Sequence, residues 1–190
     1  MTTPMNGKPQ TRTISRALPV NATLLEVVLL ALLGAMAVVL RAYLRLPLQL
    51  PGRHGLEVMA ILMIGRKASS LPFAMSISTL TGGLMALFPF LGFSDPFMLP
   101  VYLIMGAVTD LAYTLFNPFR VRMALFVVLG GIAYMMIPLC RILIEVTGLW
   151  HYQSLYRAGF LYPVLTHFLF GAGGTTLATT VALAAKKIRK

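Results

Sequence analysis

Apolar residues come in long runs along this chain, separated by short polar connections, and the runs recur until the chain is used up. A helix of about 20 apolar residues spans the ~30 Å hydrocarbon core of a bilayer. The first run covers residues 22–43. The connection that follows, residues 45–55 (RLPLQLPGRHG), holds two prolines and two glycines and cannot be a continuous helix. Residues 56–65 are apolar but too few to cross alone without tilt or extension, and Arg66-Lys67 stops them at an interface. Residues 69–91 read as a full span, 92–96 as a tight turn and 97–116 as the next span. The basic turn NPFRVR (117–122), a fifth span (123–144), a loop (145–158) and a last span (159–185) complete the chain before KKIRK. The pattern predicts an all-α integral membrane protein with six transmembrane helices, the second one short. Residues 1–21 form a flexible cytoplasmic N-terminal segment, 22–185 the six-helix membrane domain and 186–190 a basic cytoplasmic tail.

Composition agrees and narrows the function. Hydrophobic residues make up 58% of the 190 positions, charged residues 11%, and mean hydropathy is +0.82. No hydrophilic block is left for a soluble catalytic domain. A net charge of +11 would suggest nucleic acid in a soluble protein. Here its placement matters more. In a six-span arrangement the N-terminal segment, the 66–67 and 117–122 turns and the C-terminus share one side with eleven basic residues. The other side has only Arg41, Arg45, Arg53, Arg141 and Arg157. The positive-inside rule then puts both termini of a cell-membrane protein in the cytoplasm, and no nucleic-acid partner is expected. The five outer arginines run against that trend and need a reason of their own. Lys8, Arg12 and Arg16 resemble the start of a signal peptide, but the run after them is too long for one and reads as an anchor. The single cysteine, Cys140, offers neither a disulfide framework nor a thiolate metal site.

Polar and small residues form stripes at helical spacing on the last three spans. These are Tyr102, Gly106, Asp110, Tyr113 and Asn117; then Tyr134, Pro138, Arg141 and Glu145; then Pro163, His167, Phe170, Gly174 and Ala178. Such faces cannot point at lipid without leaving polar groups unsatisfied, so they are expected to converge. Arg141 and His167 sit in the outer halves of their spans, near Arg53 and His54 of the outer loop. The expected product is a basic, aromatic-lined cavity opening outward, suited to a small ligand that is anionic or rich in acceptors. Its candidate binding residues are Arg53, His54, Tyr102, Asp110, Tyr134, Arg141 and His167. Plainer roles stand beside these. Arg141 and Glu145, four apart, can form an interfacial ion pair; Tyr102, Trp150, Tyr152, Tyr156 and Tyr162 can form an aromatic belt; His167 can bridge two helices; Asp110 can anchor Tyr or Thr side chains. Small residues every four positions (Ala74, Ser78, Gly82, Ala86; Ala31, Ala35; Gly174, Ala178, Ala182) permit close helix packing, or docking of a second membrane protein on Ala31 and Ala35. No GxSxG, HExxH or Walker A motif occurs, and no paired histidines stand at metal-ligand spacing. An enzyme, a metal site and a bound cofactor are not expected, and any ATP-driven step needs a separate ATPase.

This pattern resembles the substrate-specific S components of energy-coupling factor (ECF) transporters, small six-helix vitamin and cofactor binders. The residues that carry the resemblance are the Pro/Gly outer loop and short second helix (LPLQLPGRHGLEVMAILMIGR), the segment FPFLGFSDPFMLPVYLIMGAVTD, and the AxxxA of Ala31 and Ala35. The resemblance implies that the outer loop lids a pocket made by the last three helices. It also implies that the chain hands a vitamin-like molecule to a transmembrane T protein carrying two ATPases, docking through Ala31 and Ala35. Two other readings of the residues are a membrane scaffold subunit and a small ion-coupled carrier with Asp110 as its protonatable group.

Overall fold

A computed structural model describes residues 20–44, 49–116, 123–153 and 159–188. Six α-helices account for most of the described residues: α1 (Val20–Tyr43), α2 (Gly55–Ala68), α3 (Ala74–Ala86), α4 (Met98–Phe116), α5 (Met123–Val146) and α6 (Leu161–Ile188). No strand occurs among them. Four are long and apolar enough to cross a membrane, namely α1, α4, α5 and α6. The N-terminal segment up to residue 19, residues 45–48 of the Pro/Gly loop, the 117–122 turn, residues 154–158 with Tyr156 and Arg157, and the final 189–190 lie outside the described residues.

The third helix corrects the sequence expectation. Residues 69–91 read as one full span, yet α3 has only 13 residues, about 20 Å at 1.5 Å per residue. Prolines break the run at both ends. Before α3, the Ser69 hydroxyl accepts from the Leu71 N–H at 3.1 Å, making a local turn ahead of Pro72. After it, Pro89–Leu91 form a single 3₁₀ turn ending in Gly92, whose φ of 74° suits glycine. As expected, α2 is short, with 14 residues.

Successive helices run in alternate directions between two ends of the bundle. Glu26 of α1, the end of α2, the start of α3, Asp110 of α4, Phe126 of α5 and Lys186 of α6 lie towards one end, linked pairwise by contacts. Arg41, Gly52, Asp95, Arg141 and His167 mark the other. In cross-section the neighbours are α1, α3, α4, α5, α6 and α2, with α2 also touching α3 and α5. The short helix is thus the most enclosed: Val58, Met59, Leu62 and Met63 are fully buried.

Missing side chains set the helix approaches. At Gly34 a Cβ would lie 1.8 Å from the Ser78 carbonyl oxygen, at Gly130 it would strike the Thr175 hydroxyl, and at Gly174 it would meet the backbone of Gly55 and Leu56. The α3 ladder of Ala74, Ser78, Gly82 and Ala86 is wholly buried between α1 and α4, and the Ser78 hydroxyl donates to the Leu30 carbonyl at 2.9 Å. That ladder packs the fold itself.

Candidate ligand-binding site

Two polar assemblies occupy opposite ends of the bundle. Asp110 belongs to the first. Its Oδ1 accepts from the Met75 N–H at 3.1 Å, and its Oδ2 accepts from the Ser76 N–H at 2.7 Å and the Ser76 hydroxyl at 2.8 Å. A carboxylate from α4 therefore satisfies the unpaired N–H groups at the start of α3 and faces the positive end of its dipole. Arg66 Nε lies 3.3 Å from Asp110 Oδ1, the Arg66 guanidinium stacks 3.8 Å over the Tyr113 ring, and its Nη1 donates to the Leu71 carbonyl. Arg66 and Asp110 are each about 5% exposed. This is a buried structural lock. Asp110 does not join the other expected binding residues, because an α-helical stripe has two ends and Asp110 lies on the one that meets α3.

The second assembly surrounds a cavity of about 170 Å³ lined by Arg41, Pro51, Gly52, His54, Tyr134, Pro138, Arg141, Pro163 and His167. Four expected residues meet there: His54, Tyr134, Arg141 and His167. Each is held by its own element. His54 precedes α2; its Nδ1–H donates to Glu57 Oε1, and its Nε2 accepts from Arg53 Nε at 3.3 Å. Arg53 thus supports the pocket through His54. His167 Nδ1–H donates to the Pro163 carbonyl one turn back at 2.7 Å, and the ring stacks on Tyr134 with centroids 5.2 Å apart. That bond fixes the tautomer and leaves Nε2 as an acceptor. Gly52, at φ 77°, passes so close that a Cβ would lie 2.7 Å from the His167 ring. Only glycine lets the loop lie there. Pro138 cannot donate to the Tyr134 carbonyl, so the pocket-facing side of α5 is interrupted between two lining residues.

Arg141 does not pair with Glu145, the partner its spacing offers. Its Nη2 and Nε donate to Asp95 Oδ2 at 2.6 and 3.1 Å, and its guanidinium lies 5.2 Å from the Tyr152 ring. The loop after Gly92 brings Asp95 to α5. Glu145 instead accepts from the Tyr152 N–H and from His151. The Tyr152 hydroxyl donates to Asp95 Oδ1 at 3.1 Å. Burial, helped by the Asp95 charge, pushes that hydroxyl up to about 12, so it keeps its proton at neutral pH. Tyr152 is accordingly a buried clamp on Asp95 rather than part of an interfacial belt.

Arg41 is the charged lining residue that the candidate set omits. Its Nη1 donates to the Tyr102 hydroxyl at 2.8 Å, and its guanidinium lies 5.0 Å from the Phe93 ring centroid. Tyr102, also expected in the site, is 1% exposed and acts from beneath Arg41. The chain has five acidic residues, all described. Glu26 binds Ser70, Glu57 binds His54, Asp95 binds Arg141, Asp110 binds Arg66 and Glu145 binds His151. Among the described residues, then, no carboxylate forms an ion pair with Arg41, and Asp95, paired with Arg141, acts on it only through space. Two guanidinium groups line the cavity, and of the two Arg141 is the one that forms an ion pair, with Asp95. The signal for Arg41 was present in the sequence as a cation on the side poor in positive charge; the signal for Asp95 was absent, because a turn aspartate carries no periodicity.

Compared with protein-family models, curated proteins and solved structures, the chain matches none. Among the described residues no group of three or more His, Cys, Asp or Glu is placed to hold a metal ion.

Proposed function

We propose that this protein is the substrate-binding membrane subunit of an ECF-type importer. It captures a small, vitamin-like anion from outside and delivers it with a T protein and two ATPases. The observation that carries the reading is Arg41, a cation lining a cavity with every acidic residue of the chain bound to another residue. A partly buried charge in a membrane protein is expensive unless something pairs it, and an incoming anion supplies that partner. Arg141, oriented by Asp95 and Tyr152, offers a second donor set beside it. Pro138, Pro163 and the Tyr134–His167 stack supply apolar and aromatic contact for the rest of the ligand. About 170 Å³ falls below the ~300 Å³ at which drug-sized pockets begin, which favours a compact ligand. The loop at Pro51 and Gly52 forms one wall, so its withdrawal is the natural way in.

An ion-coupled carrier gains no support from Asp110, whose oxygens are tied to two N–H groups, a hydroxyl and Arg66. A scaffold subunit would need no anion-free arginine in a cavity. Native mass spectrometry of protein extracted in mild detergent tests the proposal. The expected result is a retained acidic small molecule at one per chain, released on denaturation. Protein expressed with the membrane's full small-molecule pool yet carrying no such adduct, and showing none after incubation with a cell extract, would contradict it.

A further inference from the structure

Uncompensated charge and apolar surface meet again at the Asp110 end. The helices α2 and α6 run parallel, held together where Gly174 lies against the backbone of Gly55 and Leu56. Their last turns flank a groove of about 330 Å³ lined by Ile64, Val181, Ala182 and Ala185 together with Lys67 and Lys186. The small residues Ala182 and Ala185, three apart on one face of α6, keep the groove open. Lys67 lies 5.4 Å over the Phe126 ring centroid. All five acidic residues have other partners, so among the described residues no carboxylate pairs with either lysine. Basic residues complement the negative ends of two parallel helices, which accounts for lysines in these turns. It does not account for an apolar trough lying between them.

We infer that this groove is a binding site for an acidic glycerophospholipid, with the phosphate-bearing headgroup between Lys67 and Lys186 and one acyl chain along Ile64, Val181 and Ala182. Charge complementarity selects this occupant. A free anion would pair the lysines but leave the apolar walls bare. A zwitterionic lipid would cover the walls but bring its own cation to the lysines. An acidic lipid answers both needs, and basic pockets between helices are where such headgroups bind. The inference does not depend on the proposed transport role.

The test titrates delipidated full-length protein with phosphatidylglycerol or phosphatidylcholine of identical acyl chains, read by native mass spectrometry. Phosphatidylglycerol should be retained, one per chain, under activation that strips phosphatidylcholine, and inorganic phosphate should not displace it. The double variant Lys67→Gln/Lys186→Gln should bind phosphatidylglycerol about 30-fold more weakly, at roughly 1 kcal/mol per lysine near an anionic surface. Lys187→Gln, which alters a lysine outside the groove, should bind it like the parent. Ala182→Phe should weaken both lipids by filling the trough, with thermal unfolding confirming that the variants are folded. Equal retention of the two lipids, parental binding by the double variant, or a co-purifying polypeptide in place of lipid would each overturn the assignment.

Discussion

Asp110 and Arg66 show how a residue's meaning changes once its neighbours are known. Breaking a buried ion pair by removing one partner costs about 3–5 kcal/mol, because the other charge is left uncompensated. Asp110→Asn should therefore destabilise the protein by roughly that amount, and α3 should keep one of its two N-terminal N–H bonds at most, since an amide has a single acceptor oxygen. Chemical or thermal unfolding in detergent checks this. A stable Asp110→Asn protein would return the residue to the list of groups with a transport role. The sequence made the Tyr102–Gly106–Asp110–Tyr113 stripe legible, since helical spacing alone aligns those positions. It could not reveal that Tyr102 would serve Arg41 at one end and Asp110 would serve Arg66 at the other. Arg66 read as an interface stop and is instead a buried partner. Likewise Arg141 and Glu145, four apart, looked like a pair, but a long-range contact with Asp95 won at two hydrogen bonds.

At the scale of elements, five of the six apolar runs closely match the helices found. The third fails where Pro72 and Pro89 limit it to Ala74–Ala86. The docking expectation for α1 also needs its neighbours. The tightest approach of α1 to α3 is made by Gly34, whereas Ala31 and Ala35 are only half-buried beside an exposed row that includes Leu25, Leu29, Leu32 and Met36. Gly34→Leu should accordingly cost at least the 1–3 kcal/mol typical of overpacking, read as a lowered Tm. Ala31→Leu/Ala35→Leu should leave Tm nearly unchanged and ligand retention intact while abolishing co-purification with a T protein. If the alanine pair unfolds the protein as readily as Gly34→Leu, the pair packs the bundle and is not a docking surface. Gly52 gives the loop its own test. Gly52→Val should push the loop off His167 and lower ligand affinity without a comparable loss of stability, since the strain is confined to one wall of the cavity.

For the whole molecule, alternation of the six helices puts the start of α1 and the end of α6 towards one end, and Gly92 towards the other. Combined with the bias of eleven basic residues to five, this predicts that reporter fusions after Gly92 and after Lys190 report opposite sides, with Lys190 cytoplasmic. Fusions reporting the same side would remove the six-span reading. The meeting of the α5 and α6 stripes at a basic cavity was legible, because amphipathic stripes inside a membrane must face one another, whereas the α4 stripe supplies no lining residue and α1 supplies Arg41 instead. The balance of charge in that cavity was not, because it depends on which arginine claims Asp95. That balance leaves Arg41 as the group awaiting a counter-ion, and binding to Arg41 tests the account most directly. The molecule released from the native protein should be titrated calorimetrically into the parent and Arg41→Gln, with unfolding followed in parallel. A charge-assisted hydrogen bond contributes about 1.5–3 kcal/mol, so the variant should bind roughly 10- to 150-fold more weakly at unchanged stability. An Arg41→Gln protein that binds the molecule with parental affinity would contradict the account.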